Sequence, residues 1–115
     1  MEDLELKDLG HFRGTEQYHR IPLFKSNLTD GIMYLVDSGY SWFVTDVLAV
    51  LEHEDSVKGQ EFVCVKLKLN DSKAQMEVSD GNENILYTQD YTYTEAKKEL
   101  TLFFTNGVLL LNSEY

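Results

Sequence analysis

One cysteine, one proline, one tryptophan and three methionines are spread through 115 residues. A lone Cys64 excludes an internal disulfide framework, suits a reducing interior such as the cytoplasm, and reads as a small buried strand residue rather than a nucleophile. No apolar run approaches the ~18 residues a membrane span requires, so no membrane partner is expected. The opening MEDLELKDLG has neither the basic nor the apolar stretch of a signal peptide. Basic residues are scarce: ten lysines and arginines face twenty acids, a net charge of −10. Direct binding of nucleic acid needs clusters of positive charge that this chain lacks, and no glycine-rich phosphate cradle appears. Cofactors are expected to be none.

What is present is a globular composition, with 43% hydrophobic and 12% aromatic residues. The length fits one domain with a real core. The acid excess is not carried on a tail: residues 1–60 hold eleven acids and five bases, residues 61–115 nine and five.

Two periodicities divide the chain. Thr29 is a good N-cap for a helix through Ile32, Met33, Leu35 and Val36, with Gly39 as its stop. Ser41 is expected to cap a second helix, SWFVTDVLAVLEHE, whose Phe43, Val44, Val47, Leu48 and Leu51 form one apolar stripe. From Glu61 the period becomes two. Val63, Val65, Leu67 and Leu69 share one face of a strand, Ala74, Met76 and Val78 one face of the next, and ILYTQDYTY, ELTLFFT and VLLL follow. Turns are expected at Asn70-Asp71-Ser72, Asp80-Gly81-Asn82, Glu95-Ala96-Lys97 and Asn106-Gly107, the last a strong hairpin signal. The expected fold is α+β, with two N-terminal helices packed on one face of a five-stranded antiparallel β-meander. Within this single domain, 1–27 is an arm or connector, 28–55 the helical pair and 61–112 the sheet. Phe62, Cys64 and Phe103 fall on the opposite face; if open, that surface would suit a partner or a homodimer, and if the sheet curls the three are core.

Two surfaces are candidates for function. The segment HFRGTEQYHRIPLF places His11, Arg13, Glu16, Tyr18, His19 and Arg20 within a short span. With Asp46, which lies among apolar neighbours in the second helix, they could form a ligand site or an active site if they converged on a pocket. The plainer expectation is that Asp46 pairs with Arg13 or Arg20. The three histidines, at 11, 19 and 53, have no zinc-like spacing, so no metal site is expected. The second surface is acidic: Glu52, Glu54 and Asp55 after the second helix, and Asp80 and Glu83 in a hairpin loop. Carboxylates displayed this way can imitate a phosphate backbone and dock on the basic surface of another protein, without catalytic residues of their own.

Four segments, FRGTEQYHR (12–20), LTDGIMYLVDSGYSWFVTDVLA (28–49), DGNENILYTQDYTYT (80–94) and LTLFFTNGVLLLNSEY (100–115), resemble a small bacterial, plasmid and phage domain family of unknown function. The resemblance implies one compact domain and a mobile-element setting, in which small acidic proteins often inhibit host defence. The family carries no known catalytic residues to transfer to this sequence.

Overall fold

The computed structural model describes residues 17–92, 94 and 96–115. Its order is β1 (Asn27–Leu28), α1 (Asp30–Leu35), a π-type turn (Val36–Tyr40), α2 (Ser41–His53), β2 (Phe62–Asn70), β3 (Lys73–Ser79), β4 (Ile85–Tyr91), β5 (Leu100–Thr105), β6 (Val108–Leu111) and a closing 3-10 turn (Asn112–Glu114). The α+β class is as expected, but two features differ from it.

The expected pair of separate helices is one helical run, of which α1 and α2 are the two limbs. Thr29 caps its start, the hydroxyl accepting from the Ile32 N–H at 3.4 Å. Gly39 adopts φ 99°, open to glycine at no steric cost. Its φ/ψ is non-helical, so the run is kinked there, and the chain passes through the π-type turn into α2. Ser41 is therefore the first residue of α2 and not its cap; Tyr40 holds the capping position, with no side-chain cap bond.

The five-stranded antiparallel meander is a six-stranded mixed sheet, ordered β1-β6-β5-β2-β3-β4. β1 runs parallel to β6, Asn27 opposite Val108 and Leu28 opposite Leu109. Of the expected turn at Glu95-Ala96-Lys97, Glu95 lies outside the described residues, and Ala96 and Lys97 make no hairpin between neighbouring strands. They lie in the crossover between the edge strand β4 and β5, which pairs antiparallel with β2 on the far side of β3 and β2. Burial explains the choice. β2 is nine residues long, with Val63, Val65 and Leu67 fully buried, and gains most from neighbours on both sides. Tyr-, Thr- and Gln-rich β4 tolerates an edge. The crossover is pinned by the Thr94 N–H donating to the Ser72 carbonyl at 2.7 Å, and by backbone hydrogen bonds from Lys97 and Lys98 to the buried Tyr40 phenol. Burial pushes that phenol's pKa up, against the pull of those two bonds.

The core lies between the helical run and one sheet face. Phe43, Val44, Val47 and Leu48 of α2 join Val65 and Leu67 of β2, Met76 and Val78 of β3, Leu102 of β5 and Leu109 of β6, all essentially inaccessible. Apolar area removed from water at this density is the main favourable term for folding. On the second face Leu110, Phe103, Cys64, Ser79 and Ile85 align across the strands. Beside them Phe62, Phe103 and Tyr115 form an aromatic triangle with ring centroids 5.1–5.7 Å apart. Ile85 stays 51% exposed and Tyr115 73%.

Candidate functional site

Of the N-terminal candidates, His11, Arg13 and Glu16 lie outside the described residues. Tyr18 projects into solvent. Backbone bonds between His19 and Leu28, at 2.7 and 2.8 Å, lay the chain beside β1. Ile21-Pro22-Leu23-Phe24 then turns, the Phe24 N–H donating to the Ile21 carbonyl at 3.2 Å. Leu23 sits at φ 79°, a region that disfavours a side chain. His19 Nε2 lies 2.9 Å from Asp30 Oδ1, and Arg20 Nε donates to Asn27 Oδ1 at 3.2 Å. These two side chains therefore bind close to β1 and α1.

Asp46 is elsewhere. Its Oδ2 accepts from the Tyr91 hydroxyl at 2.8 Å and from Gln89 Nε2 at 3.4 Å. The expected pairing with Arg20 is not made, because Arg20 is engaged with Asn27; Arg13 lies outside the described residues. Tyr87 extends the network, its hydroxyl donating to Gln89 Oε1 at 3.0 Å. Trp42 packs edge-on against Tyr91, centroids 5.2 Å apart. Desolvation first, and then the Asp46 carboxylate, drive the Tyr91 pKa far upward, so its phenol stays protonated as the donor. The network borders a shallow hollow of about 240 Å³ lined by Asp46, His53, Glu54, Tyr87 and Gln89. Gln89 and Tyr91 reach Asp46, and Tyr87 reaches Gln89, because alternate residues of β4 face the helices, a pairing no local spacing could disclose.

The acidic candidates separate by role. Glu52 accepts from the Lys25 and Ser26 N–H groups, both at 2.9 Å, and from the Ser26 hydroxyl at 2.6 Å. Burial pulls its pKa up, but those bonds and nearby His53 outweigh it and hold the carboxyl below the usual range. Asp80 closes the β3–β4 loop, accepting from Asn82 N–H at 2.8 Å and Asn84 Nδ2 at 2.8 Å. The Asn84 side chain first, then Asn82, lower its pKa. Asp55 pairs with Lys58 at 3.0 Å on the open surface. Glu54 is half-buried at the end of α2, and Glu83 is exposed beside Asp80. Two of the five are thus fixed in structural roles, while Glu54, Asp55 and Glu83 face outward.

Another carboxylate escaped the sequence reading. Glu114 accepts from the Thr29 hydroxyl at 2.6 Å, the Leu111 N–H at 2.9 Å and the Gly31 N–H at 3.2 Å. It joins the start of α1 to the end of the chain. Among the described residues no cluster of three or more His, Cys, Asp or Glu side chains could hold a metal, and no helix is long and apolar enough to cross a membrane.

A family model matches residues 3–115, nearly the whole chain. The chain belongs to the family of unknown function DUF6876. No curated protein and no solved structure matches it. Within this DUF6876 domain two of the segments that carry the resemblance, 28–49 and 100–115, meet at the Thr29–Gly31–Glu114 junction.

Proposed function

We propose that this domain is a non-catalytic binding protein that docks its acidic exterior on a basic surface of another protein. The observation that supports it most is the charge excess, twenty acids against ten bases, displayed on a rigid scaffold. Asp37, Asp55, Asp71, Glu83 and Asp90 are exposed on the helical run, the loops and the sheet edge alike. A binding protein of this kind fits the phosphate-contacting channel of a nucleic-acid-binding protein, and an inhibitor encoded on a mobile element is the form we favour. A ligand site built on His19, Arg20 and Asp46 has less support, since the first two engage Asp30 and Asn27 while Asp46 is held by Tyr91.

The test is capture of the partner on immobilised protein, followed by washing from about 0.1 M to about 1 M salt, over which the screening length falls from about 10 Å to about 3 Å. Release as salt rises, and displacement by duplex DNA at low salt, are the expected results. Retention unchanged across the series contradicts electrostatic docking.

The aromatic triangle of Phe62, Phe103 and Tyr115 supports a second reading, a homodimer through the second face of the sheet. Light scattering at rising protein concentration should then give twice the chain mass, reverting to one on Phe103→Ser. A monomer throughout removes this reading.

A further inference from the structure

We infer that the outer edge of β4 receives an extended basic segment of the partner, which adds to the sheet as a further strand. The inference rests on the acidic-docking reading and specifies where and how the partner is held.

The two edges of the sheet are unlike. At one, β1 is two residues long and is already met by His19. At the other, β4 offers seven residues and pairs with β3 alone. In an antiparallel ladder alternate residues of an edge strand point their N–H and C=O groups outward, a template for another strand. Among the described residues, no backbone hydrogen bond reaches that side of Ile85–Tyr91. Edge strands usually carry lysine or proline to discourage pairing. ILYTQDY carries neither, and is rich in residues that favour strands.

Charge supplies the partner's chemistry. On the helix side, β4 contributes Tyr87 and Gln89 to the hollow that also holds Asp46 and Glu54. On the opposite side Asp90 is exposed, and Glu83 stands at the entry to the strand. Side chains of an added strand alternate between the two faces. A lysine or arginine opposite Tyr87 and Gln89 would therefore enter the hollow, whose lining of Asp46, Glu54, His53 and the Tyr87 ring favours a cation while His53 is neutral. Towards Tyr91 the surface is less acidic, because Lys73 and Lys68, the latter ion-paired with Glu77, share a trough of about 440 Å³ with Asp90. The positive charge of the segment thus belongs against the Ile85–Gln89 half. Main-chain bonds would give affinity and the alternating pockets selectivity, as in other strand-addition complexes.

The test uses the whole protein and two synthetic peptides of alternating lysine and valine, identical except that one is N-methylated at every backbone amide, so that neither of its edges can donate. Both carry the same charge, but only the unmethylated peptide can form a ladder. Fluorescence anisotropy should show it binding at least about tenfold more tightly, a difference of about 1.4 kcal/mol. Hydrogen exchange should slow at alternate amides of Ile85–Tyr91 on its addition. Glu54→Lys, at the hollow, should weaken it about tenfold, whereas Asp90→Lys, on the opposite face and beyond the Ile85–Gln89 half, should weaken it much less. Equal binding of the two peptides, weakened alike by salt, overturns the edge site and leaves acidic docking standing. Binding of neither overturns both. Protection of β4 in the free protein, together with a doubled mass, would assign the edge to a second copy and likewise overturn the inference.

Discussion

Replacing Gly31 with alanine should destabilise the fold by about 3 kcal/mol, the upper end for forcing atoms into a packed site. A Cβ there would lie 2.6 Å from Glu114 Oε1 and 2.6 Å from Leu111 Cδ1. Flexible side chains often yield to such an intrusion at little cost. Here the Glu114 carboxylate is fixed by Thr29, Leu111 and Gly31 itself, so moving it breaks bonds at a helix start whose Thr29 and Gly31 are buried. A melting temperature lower by about 10 °C is the corresponding observable. The mechanism has its own check in a double-mutant cycle. With Glu114→Ala already made, one of the two obstructing groups is gone, and Gly31→Ala should cost at least about 1 kcal/mol less than in the native background. Strictly additive losses would show that the carboxylate is not what crowds Gly31.

The second large effect is expected at Glu52. Glu52→Ala leaves the Lys25 and Ser26 N–H groups and the Ser26 hydroxyl without their acceptor, and hydrogen bonds to a charged group are worth about 1.5–3 kcal/mol. Because Glu52 is half exposed and water replaces part of what is lost, a net cost of about 2 kcal/mol is expected. The effect has a pH signature. The folded state holds this carboxyl below the ordinary 4.5 of a free glutamate, so it binds a proton less readily than the unfolded chain does. Its contribution is complete above pH 4.5 and is lost as pH falls below that value through the folded pKa. Denaturant unfolding of the native protein and of Glu52→Gln should therefore differ most near neutrality and converge in acid. A gap that widens on acidification would refute the assignment.

Much of the local structure is legible in the sequence, and the reasons are local. Asn106 and Gly107 adopt φ 53° and 74°, the left-handed pair that an Asn-Gly hairpin requires. Thr29 caps where a threonine before an apolar helix should, and Val63, Val65 and Leu67 alternate inward as their period-two spacing demands. What the sequence could not disclose is pairing between distant segments. Asn27 and Leu28 are too short to show a period, and they become a strand only because β6 lies alongside. Ala96 resembles a turn residue between two strands, yet its segment bridges strands that never touch. Likewise the sequence offers Arg13 or Arg20 as the partner of Asp46, although that partner is Tyr91, 45 positions away. Charge alone marks the acidic candidates in the sequence, and it does not distinguish a carboxylate bound by backbone amides, such as Glu52, from one facing water, such as Glu83.

The Thr29–Glu114 hydrogen bond joins residues 85 positions apart. Closing so long a loop is entropically expensive, and its contacts become profitable only after the intervening strands have assembled. The β2–β3–β4 hairpins should accordingly be early on the folding route, and the parallel β1–β6 pairing, with the carboxylate latch beyond it, late. Disturbing that latch should then chiefly accelerate unfolding while refolding keeps its pace.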